Sequence, residues 1–151
     1  AGRGKFKGKA IIQTMNPEND VITMAAQQDY ENFYKTEMKL RKSLIYPPFC
    51  DIALVGFLGV REEKVHATAS KFFLKITEKI RKEYKDEKVI ILGPMPARVS
   101  KVSNKYRYRL IIKCKNSKNF RKMISEVLTE ILAEVSNQVS VYIDINPENI
   151  I

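Results

Sequence analysis

The chain has 151 residues, 44% of them apolar and 29% charged, which is enough for one sizeable core with an appended segment. Its formal net charge is +10, a balance that points to polyanions or acidic peptides as partners. Two cysteines, Cys50 and Cys114, stand far apart with no CxxC, which excludes a disulfide framework and a cysteine zinc site and suits a reducing compartment. No apolar run approaches the ~20 residues of a membrane span. The basic start, AGRGKFKGK, leads into no apolar signal-peptide core. The expectation is a soluble, intracellular, basic domain. Because the chain opens on Ala1 rather than Met, it reads as a piece of a longer protein.

In chain order, residues 1–9 are glycine and cation, and Lys9–Met15 reads as a short strand carrying Ile11 and Ile12. Asn16-Pro17-Glu18 is a helix-start signal. From Glu18 to about Leu44 the apolar spacing is helical, with Asp29 able to cap a second helix, so one bent helix and two consecutive ones fit equally. Tyr46-Pro47-Pro48-Phe49 stops it, since a residue before proline avoids the helical region. The double proline is read as the entrance to the main domain.

Asp51–Val60 is apolar on both faces, as a central strand should be. Glu62–Lys85 is helical, with a stripe of Val65, Ala69, Phe72, Ile76 and Ile80. Lys88–Leu92 is a short strand stopped by Gly93-Pro94, and a Ser/Asn/Lys-rich connection leads to a long strand over Lys105–Lys115. Ser117–Ser136 is helical, and Gln138–Ile145 alternates strictly, with Val139, Val141, Ile143 and Ile145 on one face. The order βαββαβ predicts an α+β fold, a ferredoxin-like split sheet of four antiparallel strands with two helices on one face. The other face is left open or covered by the N-terminal segment.

Between Arg98 and Lys122 stand ten Lys or Arg and no acid, which equals the whole chain's surplus. By period-two alternation Tyr106, Tyr108, Leu110, Ile112 and Cys114 share the side facing the helices. That makes Tyr106 and Tyr108 rim-of-core residues rather than base-stacking platforms. Lys105, Arg107, Arg109, Ile111, Lys113 and Lys115 share the other side, near Tyr142 and Asp144. Cations on an open sheet meet backbone phosphates with little sequence preference. A plain solvated face is equally compatible with charge counting alone.

Catalytic chemistry is not expected. The one histidine, His66, sits on a helix without a nearby Cys or paired carboxylate, and GxxxxGK[ST], HExxH and GxSxG are all missing.

Several stretches together resemble the C-terminal portion of the primosomal protein N′ (PriA) family of replication-restart DNA helicases. Ala1-Gly2-Arg3-Gly4 is similar to the tail of helicase motif VI, and GKAIIQTMNPENDVI to the strand and helix closing the second helicase lobe. The most specific match is AAQQDYENFYKTEMKLRKSLIYPPF, with Asp29-Tyr30, Phe33-Tyr34, Glu37, Arg41 and Tyr46-Pro47-Pro48-Phe49. GPMPARVSKVSNKYRYRLIIK and YIDINP complete a resemblance that covers essentially the whole chain.

The resemblance implies a parent that is an ATP-dependent 3′→5′ helicase acting at collapsed forks in the bacterial cytoplasm, close to the nucleoid, with ATP, Mg and zinc as its cofactors. It implies that Arg3 is the motif VI arginine, which stabilises charge on the transferring phosphate. The phosphate-binding loop, the DEAH-like box, the zinc-binding cysteines and the first motif VI arginine are not in this sequence. ATP hydrolysis by this stretch alone is therefore not expected. Residues 1–49 correspond to the end of the second helicase lobe and 50–151 to a C-terminal domain similar to a ribosomal protein of ferredoxin-like topology.

Two functional readings follow. In the first, Lys101, Lys105, Arg107, Arg109 and Lys113 touch the phosphates of single-stranded or forked DNA. In the second, the domain docks proteins: other primosome members, and the acidic tail of single-stranded DNA-binding protein, the latter held by Lys118 and Arg121 beside Phe120. A ribosome-associated RNA binder suits fold and charge but leaves the DYxxFY…YPPF segment without an account.

Overall fold

A computed structural model describes residues 8–135 and 138–149. Contacts divide the chain into two compact units, Ala1–Leu44 and Ile45–Ile151.

The first unit is a pair of helices, α1 (Asp20–Gln27) and α2 (Tyr30–Leu44). Asn19 sets the start of α1, its side chain accepting from the N–H groups of Val21 at 2.9 Å and Ile22 at 3.4 Å. Pro17 lies in the turn before it, so the cap rather than the proline fixes the boundary. Gln28 takes a left-handed φ of 57°, which ends α1, and Asp29 Oδ1 then accepts from the N–H of Asn32 at 3.2 Å to cap α2. Two consecutive helices are therefore formed, not one bent one. The strand expected over Lys9–Met15 is absent. Those residues are irregular and Ile11 is 82% exposed, because a strand needs a hydrogen-bonded neighbour and all four paired strands lie in the second unit.

The second unit runs β1 (Asp51–Gly59), α3 (Glu62–Lys82), β2 (Ile90–Val102), β3 (Lys105–Cys114), α4 (Lys118–Glu134) and β4 (Val139–Ile145). Its sheet is antiparallel in the order β2-β3-β1-β4. The main core lies between the sheet and both helices. It is built on the fully buried Phe57, Phe72, Phe120, Ile76, Leu110 and Ile112, with the Phe57 and Phe72 rings meeting edge to face at 5.7 Å. Ser117 caps α4, its hydroxyl accepting from the N–H of Phe120 at 2.9 Å.

On the opposite side, Ile52, Leu54 and Ile111 form a small second cluster against Tyr46 and Cys50. The segment just before β1 thus covers part of that face, and the rest of it carries the cations.

β2 corrects the expected short strand. It passes through Gly93-Pro94, with register shifts between Leu92 and Met95 and between Pro96 and Lys101. An edge strand tolerates this, because the missing proline N–H faces away from the ladder and the glycine, at φ 104°, absorbs the irregularity. The expected connection shrinks to the two-residue turn Ser103-Asn104, with φ of 48° and 60°, a hairpin geometry that matches strand twist.

Asp51 ties the start of β1 to two other segments. Its carboxylate accepts from Asn146 Nδ2 and from the N–H of Asn116, both at 2.8 Å, while Asn146 Oδ1 accepts from the N–H of Ile52 at 2.9 Å. Hydrogen bonds from Asn146 and then Asn116 hold this carboxyl below its ordinary value of 3.8. A lowered folded-state value stabilises above the unfolded one and is lost as pH falls through it. Asp51→Asn is therefore expected to cost about 1–2 kcal/mol in urea unfolding near pH 7, with the gap from wild type closing as pH falls below the ordinary carboxylate value and through the lowered one.

Candidate nucleic-acid interface

β3 carries the site because its alternation sorts charge from bulk. Leu110, Ile112 and Cys114 are buried against the helices, with Tyr106 and Tyr108 packed at the edge of that core. Lys105, Arg107, Arg109 and Lys113 point the other way. Alternate residues of an antiparallel strand recur about every 6.8 Å. That is twice the roughly 3.4 Å per-strand charge spacing of B-form DNA along its axis. Lys105 is exposed, and Arg107, Arg109 and Lys113 are half-buried.

Neighbouring strands complete the surface. Leu58 pairs with Arg107, and Gly56 pairs with Arg109 on one side and Tyr142 on the other. Tyr142 lies across Gly56: a Cβ added there would run into its Cε1, Cζ and hydroxyl oxygen. Arg107, Arg109 and Tyr142 share the lining of one recess with Leu54, Leu58 and Ala97. Lys113 Nζ sits 4.0 Å over the Tyr46 ring, a cation–π contact that leaves its charge on the same face.

Four of the five proposed phosphate contacts are thus brought together; Lys101 is not. It pairs with Tyr106, and directly paired residues share a face, so it stands on the helix side. Its Nζ lies 4.6 Å from the Tyr106 ring centroid and 3.4 Å from the hydroxyl.

The helix layer is electrostatically different. Lys71, Lys75 and Lys79 of α3 interleave with Glu126, Glu130 and Glu134 of α4, with Lys79 at 2.9 Å from Glu130 and 3.0 Å from Glu126. Those bonds, Glu130's first, hold the Lys79 ammonium above its ordinary range. These three lysines and three glutamates are matched to one another across the two helices. Among the described residues, Lys105 and Arg107 make no such pair, so their charge adds to the outward field of the sheet face.

Lys118 and Arg121 are both exposed in the first turn of α4. Phe120, expected beside a docked tail, is fully buried in the core, because the helical period turns it inward between the two cations. It offers no surface to a partner. Arg3 lies outside the described residues.

The His66 ring meets Tyr108 at 5.3 Å, and Tyr108 donates to Glu62 Oε1 at 3.0 Å, in a groove of about 730 Å³. Burial pushes the Cys114 thiol up to about 12, far from a reactive thiolate. Among the described residues no group of three or more His, Cys, Asp or Glu is arranged to hold a metal ion, and no helix is long and apolar enough to cross a membrane.

Sequence reasoning placed the cations on one face but missed the Gly56–Tyr142 crossing. The available signal was a glycine in mid-strand between Val55 and Phe57, which marks a place where something approaches the backbone closely.

Residues 42–148 match the family described as Primosomal protein N C-terminal domain. The chain is 34% identical over 151 residues to Replication restart protein PriA of Borreliella burgdorferi, covering 100% of this chain and 22% of that protein. It is 32% identical over 146 residues to the protein of the same name from Synechocystis, and 31% over 148 residues to that from Bacillus subtilis. Each alignment covers 97% of this chain, and respectively 16% and 18% of those relatives. The chain thus spans about a fifth of the length of the relatives it matches. A designed protein, Foldit4, aligns at TM-score 0.43 with 14% identity, over 66% of this chain and 99% of its own, too loosely to carry an argument. The chain belongs to the primosomal protein N C-terminal domain family and corresponds to the C-terminal portion of PriA.

Proposed function

We propose that this chain is the DNA-binding and partner-docking region of a 3′→5′ helicase that restarts replication in the bacterial cytoplasm. Its second unit is read as a ferredoxin-like domain, a reading supported by the strand order β2-β3-β1-β4 within a βαββαβ chain. The residues up to about Phe49 are read as the close of the second helicase lobe. ATP with Mg, and zinc, are held by parts of the longer protein, with Arg3 reaching the γ-phosphate.

The observation that carries the DNA reading is the segregation of charge. Lys105, Arg107, Arg109 and Lys113 line one face of β3, while Lys71, Lys75 and Lys79 of α3 are neutralised by Glu126, Glu130 and Glu134 of α4. Single-stranded or forked DNA meets this face through its phosphates, with a strong salt dependence.

The exposed pair Lys118 and Arg121 favours a second role, capture of an acidic tail such as that of single-stranded DNA-binding protein. With Phe120 buried, that contact rests on charge alone. Fluorescein-labelled DNA and a labelled acidic tail peptide, titrated in the same buffer, separate the two. Arg107→Glu/Arg109→Glu should lose the DNA and keep the peptide, and Lys118→Glu/Arg121→Glu the reverse. Loss of both ligands in both variants would mean that neither surface is a site.

A further inference from the structure

Among the described residues, Tyr142 is the aromatic side chain that the strands themselves contribute to the cationic face, Tyr46 coming from the segment before β1. The ring does not stand off the sheet but leans from β4 across Gly56 towards Arg109. Three successive atoms, Cε1, Cζ and the hydroxyl oxygen, lie at nearly equal distances from the Cβ position of Gly56. Such distances turn the face of the ring, rather than its edge, to the Cβ position of Gly56. The residue stays 40% exposed. Any side chain at position 56 would lift the ring out of this posture.

We propose that Tyr142, leaning across Gly56 beside Arg107 and Arg109 and still exposed, is the stacking platform for an unpaired base of single-stranded nucleic acid. This rests on the phosphate-binding reading of the face and adds what that reading lacks, a reason to prefer an unpaired strand over duplex. Cations alone follow a backbone in either form. A π-face beside them is useful only where a base is free to leave its stack, and every base has a face to offer, so the contact is sequence-tolerant. Among the described residues the other tyrosines of the sheet, Tyr106 and Tyr108, are on the helix side and cannot serve.

The test compares an oligothymidylate of about 12 nucleotides with an abasic strand of equal length and charge, both against the full chain. Wild type should bind the base-bearing strand about tenfold more tightly. Tyr142→Ala and Gly56→Ala should bring that ratio close to one with abasic binding unchanged, and Tyr142→Phe should keep it. The chain contains no tryptophan, so Tyr142→Trp supplies a single reporter, quenched by oligothymidylate and not by the abasic strand. Equal binding of both strands by wild type, or a ratio that survives Tyr142→Ala, overturns the stacking role and leaves the phosphate reading standing. Failure to bind either strand at low salt overturns both. Circular dichroism of each variant verifies that the fold is retained.

Discussion

Phe57→Ala should cost the second unit about 3–5 kcal/mol, the range for a large aromatic removed from a packed core. Phe57 is fully buried in the second half of β1, edge-on to Phe72 of α3, and no shift of the surrounding strands can refill a void that size. Domains of this size are stable by only about 5–15 kcal/mol, so the thermal midpoint should fall by roughly 15 °C or more. The same variant separates folding from binding. Phe57 faces the helices while its neighbours Gly56 and Leu58 face the cations, so protein that remains folded at low temperature should keep its DNA affinity. A loss below about 1 kcal/mol would mean that the unit is not built around this aromatic pair.

Arg107→Glu/Arg109→Glu should weaken DNA binding on the order of 10²-fold at low salt, since two charge-assisted phosphate contacts become two repulsions. The substitution takes four units off the formal charge of +10, so net charge alone has to be excluded as the cause. Lys118→Glu/Arg121→Glu makes the same change of charge on α4. At about 0.15 M salt it should leave the DNA dissociation constant within about threefold of wild type, because charges more than a Debye length of roughly 8 Å from the strand are screened there. Equal losses in the two variants would assign binding to overall charge rather than to the face. Both arginines are half-buried on the solvent side of β3, so the fold should survive with a small drop in midpoint.

Much of this was legible in the residues. The stripes of α3 and α4 and the alternation along β3 and β4 come from the burial of one side of each element, and periodicity reports that directly. Where geometry is set by a neighbour, it was not legible. β2 runs through Gly93-Pro94 because it is an edge strand, a status that only the strand order reveals. Lys9–Met15 has strand-like residues and no strand to pair with. Lys101 follows Tyr106 to the helix side because of register shifts in β2 that no count along the chain foresees. Phe120 was visible as a stripe residue, yet also placed beside a docked tail. The period that buries it rules out the second role.

The most direct measurement is the fluorescence anisotropy of a labelled single strand with the wild-type chain, repeated across a salt series. Three or four cations on phosphate predict a slope of log K against log[salt] of about −2 to −3, at roughly 0.7 per contact on single strands. Arg107→Glu/Arg109→Glu should flatten that slope by more than 1. A slope near zero, or one unchanged in the double variant, would contradict a phosphate-tracking surface on this face of the sheet.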